Sequence, residues 1–164
     1  MPAIDLILLV ILALCLIAVA WPFLCYPLIL RALPTRAEQP VAAPLPSASL
    51  LFCAYNEAAA MPEKLANLAM LKQRHPALQC LAFDDGSSDG TGDLIAARGD
   101  LVTLLRGPGR SGKAHGMKQL AACARGDVLI FTDANVLLDE DALERLLARY
   151  ADPRVGGVLG SLHY

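Results

Sequence analysis

Across the 25 positions from 6 to 30 this chain carries no charged side chain. In a helix rising 1.5 Å per residue that run extends roughly 37 Å, enough to cross a hydrocarbon layer of about 30 Å with some tilt. Trp21 and Tyr26 lie toward its C-terminal end, where aromatic side chains favour the membrane–water boundary. Pro22 and Pro27 are expected to kink or end the helix, which sets the span at Ile4 to about Phe23. A cleaved secretory leader is the alternative. Two features oppose it: no basic stretch precedes the apolar run, and the run is too long. Arg31 and Arg36 follow the segment, whereas only Asp5 and the amino terminus precede it, so the positive-inside rule puts the rest of the chain in the cytoplasm. The expectation is a single-pass protein of the cell (inner) membrane, with the lipid bilayer as a partner.

Apolar residues make up 55% of the chain and charged residues 18%, and the apolar excess sits in the first thirty positions. The remainder has the composition of one ordinary domain. Pro34, Pro40, Pro44 and Pro46 punctuate an Ala-rich stretch that reads as a semi-extended spacer. The organisation is therefore a transmembrane segment at 1–30, a linker at 31–48 and a domain at 49–164. A net charge of -2 gives no basic surface for nucleic acid. The cysteines at 15, 25, 53, 80 and 123 are odd in number and lack C-x-x-C spacing, which fits a reducing compartment. Of these, Cys53, Cys80 and Cys123 are expected to be buried, inert thiols. His75, His115 and His163 form no metal-ligand pattern.

Beyond the linker, strand and helix patterns alternate. Residues 49–54 form a short apolar run, and Met61, Leu65, Leu68 and Leu71 follow helical spacing to about Gln73. Further strands are expected at 79–83, 101–105, 128–132 and 155–159, with helices at 91–98 and 113–124. A last helix carries Leu143, Leu146, Leu147 and Tyr150, with Asp139 placed to cap it and Glu140 and Asp141 favouring its N-terminal dipole. This alternation predicts an α/β fold with a mostly parallel sheet covered on both faces. Ligands of such sheets bind beyond the carboxyl ends of the strands. There this chain places Tyr55-Asn56-Glu57, Asp84-Asp85-Gly86-Ser87, Arg106 through Lys113, and Asp133-Ala134-Asn135. The four clusters would converge on one rim.

Each cluster suggests chemistry. The adjacent pair Asp84 and Asp85 can accept hydrogen bonds from a base N–H or ribose hydroxyls, whereas Ser88 and Asp89 read as turn and cap residues. Asp133 ends a strand, and in extended geometry Asn135 would point the same way. Both offer hard oxygen to Mg2+ or Mn2+. Arg106, Arg110 and Lys113, among glycines and ahead of a helix start, favour a diphosphate through charge and free backbone N–H groups.

In this order the clusters resemble the family 2 glycosyltransferases of GT-A fold, over residues 49–164. Ala54-Tyr55-Asn56-Glu57 is similar to that family's Y-N-E element, which implies part of a nucleotide floor. Residues 84–91 resemble its D-D-G-S-x-D-G-T signature, which implies uracil and ribose contacts. Gly112-Lys113 resembles its G-K segment near the donor. Asp133-Ala134-Asn135 stands at the place of its D-x-D metal motif, with the neutral Asn135 for a carboxylate; Lys118 replaces a common asparagine. The resemblance implies a Mg2+- or Mn2+-assisted, inverting transfer from a nucleotide sugar, expected to be a UDP-sugar, to a glycan or lipid acceptor. It places the catalytic base beyond Tyr164, so the chain alone is expected to bind donor without transferring sugar. A non-catalytic nucleotide-binding membrane protein is a second reading. A third is a P-loop NTPase, since Gly107 to Lys113 matches G-x-x-x-x-G-K; that motif requires a hydroxyl where this chain has Ala114.

Overall fold

The computed structural model describes residues 3–33 and 44–161. The chain divides into two compact units, residues 1–39 and 40–164. Most of the expected linker, Arg36 and His163 lie outside the described residues.

In the first unit, helix α1 (Ala3–Ala20) runs through a π-helical turn (Trp21–Cys25) into α2 (Tyr26–Ala32). Of the two outcomes expected at Pro22, a kink or an end, the end does not occur, and the helix runs past Phe23 to Ala32. The chain passes Pro22 in a π turn, in which the Tyr26 N–H reaches the Trp21 carbonyl, five residues back. The resulting apolar helix covers 29 residues, Ile4–Ala32, long and apolar enough to cross a membrane.

In the second unit, strands β1 (Ala48–Ala54), β2 (Gln79–Asp84), β3 (Thr103–Arg106) and β4 (Val128–Asp133) form a sheet in the order β3-β2-β1-β4. All three pairings are parallel. Between them lie α3 (Met61–Arg74), α4 (Thr91–Ala96) and α5 (Lys113–Cys123), and α6 (Ala142–Ala148) follows β4. Leu50, Phe52, Ala54, Cys80 and Ala82 face one side of the sheet, where Leu68 of α3, Ile95 of α4 and Leu143 of α6 cover them. Leu51, Leu81 and Phe83 face the other side, against Leu120 and Met117 of α5. The four positions that set the helical spacing of α3 are all buried.

Two sequence expectations fail here. Residues 155–160 form no strand, and Leu159 is almost fully exposed. Gly156, Gly157 and Gly160 weaken that stretch through the entropy of fixing them and their lack of side chains to pack. The N-cap of α6 is Asp141, which pairs with Arg145 at 2.6 Å, while Asp139 contributes only its carbonyl to the Ala142 N–H.

The approach of α5 to the sheet depends on one glycine. A Cβ at Gly116 would lie 2.6 Å from Phe83 Cδ1 and 2.7 Å from Cys53 Sγ. Gly116→Ala should therefore push α5 outward and cost about 1–3 kcal/mol in urea unfolding, as overpacked cores do. An unchanged midpoint would mean that α5 has slack against the sheet.

Candidate functional site

Strand register brings the polar clusters to one level. Ala54 pairs with Asp84 and Cys53 with Asp133, so Tyr55, Asp85 and Asp133 emerge side by side at the carboxyl edge. There a cleft of about 340 Å³ is lined by Tyr55, Glu57, Asp85, Arg110, Lys113, Asp133 and Asn135, with Cys53 and Gly112 at its floor. Seven of the nine candidate site residues thus meet in one concavity; Asn56 and Asp84 do not line it.

The adjacent acids separate because side chains alternate along a strand. Asp84 continues the face covered by α3 and α4. It is buried, accepts the Ser87 N–H at 3.0 Å, and lies so close to Gly92 that a Cβ there would collide with it. Asp85 points to the α5 face. Its carboxylate accepts the Ser111 N–H at 2.6 Å, the Ser111 hydroxyl at 2.7 Å and the Gly112 N–H at 2.8 Å. Burial pushes this carboxyl upward, but the Ser111 and Gly112 donors and the Arg110 charge outweigh that and hold it below the usual aspartate range. Two N–H groups of the stretch expected to be free for a phosphate, those of Ser111 and Gly112, are thereby engaged, and the glycine-rich loop is pinned over the sheet edge. Gly86 permits that approach: it has φ +77°, and a Cβ would stand 2.9 Å from the Gly109 carbonyl carbon.

Asn56 adopts φ 54°, in the left-handed region, and knits two loops together. Its N–H donates to Ser87 Oγ at 3.0 Å, and its Oδ1 accepts the Ser88 N–H at 2.9 Å. Asp89 caps α4 at the Thr91 N–H and also accepts the Ala58 N–H, both at 3.0 Å, in line with its structural reading. The loop bearing Tyr55 and Glu57 is thus tied to the loop after β2. The Arg110 guanidinium stacks 4.4 Å above the Tyr55 ring.

Across the cleft, Lys113 pairs with Asp133. Asn135 sits in a turn after β4, where the Val136 N–H reaches back to the Asp133 carbonyl at 3.3 Å, so the extended geometry expected for this motif is absent. Both oxygens still border the cleft. One carboxylate and one amide cannot enclose a cation, and no group of three or more His, Cys, Asp or Glu converges among the described residues. The pair does fit Mg2+ or Mn2+ that takes its other oxygens from substrate phosphates and water. Cys53 is no nucleophile here: burial first, then the Asp85 charge, push its thiol up to about 11. Cys80 is buried and shifted likewise to about 11, but Cys123 is exposed, contrary to expectation. His115 is exposed beside Phe83, with ring centroids 6.1 Å apart.

The family model of glycosyl transferase family 2 matches residues 49–164. The chain belongs to this family. An N-acetylglucosaminyltransferase of Rhizobium leguminosarum bv. trifolii is 30% identical over 72% of this chain and 68% of its own. A poly-beta-1,6-N-acetyl-D-glucosamine synthase of Staphylococcus aureus is 29% identical over 69% of this chain. Among solved structures, a mannosyltransferase from Pyrobaculum calidifontis in complex with GDP-Man and Mn2+ matches 88% of this chain at 30% identity with a TM-score of 0.73. The chain spans only 28% of the synthase and 44% of that mannosyltransferase. The fold is thus of GT-A type, and in the glycine-rich loop Asp85 holds the Ser111 and Gly112 N–H groups that a P-loop would turn toward phosphate.

Sequence reading missed Lys64. It lies on the inner face of α3 with no exposed surface, 5.3 Å from the centre of the Phe52 ring, and donates to the Val136 carbonyl at 2.6 Å. Its signal was available: position 64 precedes Leu65 within the apolar stripe of the helix. Burial pulls its pKa down to about 8 against smaller opposing effects from Cys80 and Asp133. Because the folded value lies below the unfolded 10.5, folding releases a proton between these limits and stability rises with pH there. Relative to Lys64→Met, the wild-type chain should gain on the order of 2–3 kcal/mol in urea unfolding between pH 8 and 10.5. A difference independent of pH would show that Lys64 is solvated.

Proposed function

We propose that this chain is the donor-binding part of a membrane-anchored, inverting glycosyltransferase that uses a UDP-sugar. The observation that carries this reading is the convergence of Tyr55, Asp85, Arg110, Lys113, Asp133 and Asn135 on one cleft at the carboxyl edge of a parallel sheet. The two cations offer neutralisation to a diphosphate, and the Tyr55 ring with Glu57 offers a wall for the nucleoside. Asp85 acts indirectly, by fixing the loop that presents Arg110 and leads into Lys113. Asp133 and Asn135 would hold a divalent cation together with the donor phosphates, and that cation would supply charge neutralisation on the leaving nucleoside diphosphate. On binding, Lys113 would exchange its Asp133 partner for phosphate oxygens.

The N-acetylglucosamine named for the Rhizobium and Staphylococcus relatives makes that sugar the first to test, with a saccharide or lipid as acceptor. The GDP-Man bound by the Pyrobaculum mannosyltransferase makes guanine the competing base. The 29-residue apolar helix supports anchoring, and Arg31 in its last turn favours a cytoplasmic domain.

Calorimetric titration of the detergent-solubilised chain with UDP, GDP and ADP, each with and without Mn2+, tests the reading. The expected result is metal-dependent UDP binding, weakened about tenfold or more in Lys113→Ala and in Asp133→Ala, which is at least about 1.4 kcal/mol. Preference for GDP would move the donor class. A folded sample that binds no nucleotide would reject the proposal.

A further inference from the structure

Resting on that reading of the cleft, we propose that Lys64 and Asn67 are positioning residues that fix the Asp133–Asn135 rim against the Tyr55–Glu57 wall through helix α3. The two residues are three positions apart, on one face of the helix. Lys64 donates to the Val136 carbonyl at 2.6 Å. Asn67 donates to the Leu138 carbonyl at 2.7 Å and accepts the Leu138 N–H at 3.0 Å. These bonds grip backbone groups at alternate residues of the segment that follows β4, so they hold its path whatever side chains it carries.

The same helix is rooted in the opposite wall. The Met61 N–H donates to the Glu57 carbonyl at 3.2 Å, and the Glu57 N–H donates to Thr91 Oγ1 at 2.9 Å. The N-terminal turn of α3 therefore grows out of the Tyr55 loop, and one turn further along the helix clamps the loop bearing Asp133 and Asn135. After Asp133 that loop has left the sheet ladder; beside these bonds, Ala134 is buried in the core and Leu138 packs against it. Cleft width is then set by a rigid helix instead of by two independent loops.

The identity of Lys64 supports a role beyond packing. A buried ammonium beside an aromatic ring and a single carbonyl, with no carboxylate in contact, is a costly way to fill a core position that methionine would fill without charge. What methionine could not supply is the hydrogen bond to Val136.

The test compares the wild-type chain, Lys64→Met and Asn67→Ala in detergent by two readouts: hydrogen–deuterium exchange, and Mn2+-dependent UDP affinity. In both variants, peptides covering residues 133–138 should exchange at least about tenfold faster while β1 and α3 keep their protection. UDP affinity should fall about tenfold, with a thermal midpoint for Lys64→Met equal to or above that of wild type. A purely structural role would instead lower the midpoint and raise exchange throughout the sheet, which overturns the proposal. So would unchanged exchange at 133–138, or a loosened rim with unchanged affinity in a wild-type background that binds UDP. A folded wild-type chain that binds none of the nucleotides refutes the donor reading, and the exchange data then decide the clamp on their own.

Discussion

The cleft depends on the parallel pairing of β1 with β2 on one side and β4 on the other. Parallel strands are joined by crossovers, so every strand must finish at the same edge of the sheet. Here the register brings three strand ends to one level, with Cys53 opposite Asp133 and Ala54 opposite Asp84. Polar residues that follow separate strands, up to about eighty positions apart in the chain, are thereby made neighbours. A slip of one residue in either pairing would send Asp85 or Asp133 to the opposite face, away from Lys113.

Alternation along the strands then divides the labour among charges. On the α5 face, Asp85 anchors the glycine-rich loop and Asp133 meets Lys113. On the other face, Asp84 is sealed beneath α4 and Lys64 is buried under the loop that follows β4. The Lys113–Asp133 pair is exposed and exchangeable, as a site for a charged ligand requires, while Asp85 is buried and held by its loop. In the buried set Asp84 accepts the Ser87 N–H and Lys64 donates to the Val136 carbonyl, so each meets a backbone group that shapes a loop of the cleft. Gly116 completes this arrangement by allowing α5, which starts at Lys113, to lie directly on Phe83 and Cys53.

Much of this was legible from residue patterns alone. Apolar spacing located α3 and four of its five buried positions, and short apolar runs located all four strands to within about two residues. The strand-end rule identified a common rim. The reading failed where local pattern was overruled or silent. Pro22 suggested a span closing near Phe23, but the chain passes it in a π turn and stays helical to Ala32. Residues 155–159 looked like a strand, but glycines flank and interrupt them. The N–H groups of Ser111 and Gly112 looked available to a ligand, whereas a carboxylate 26 residues earlier accepts them. Asn135 lies beside the cleft for a different reason from the one its spacing suggested, because the chain turns at Ala134.

What local chemistry dictates, the residue order states directly: an apolar helix long enough for a bilayer, an alternating α/β domain, and the family whose motifs those strand ends carry. What depends on partners distant in sequence had to come from packing. Asp84 and Asp85 are chemically the same residue and adjacent, and nothing local distinguishes them; the face of the sheet each one meets makes one a buried turn acceptor and the other a loop anchor. The helical stripe includes position 64, but only the packing of Phe52 and the Val136 carbonyl shows what its lysine meets there. Hydrogen bonds and burial are set by where other elements lie, and a one-dimensional pattern carries their periodicity but not their partners.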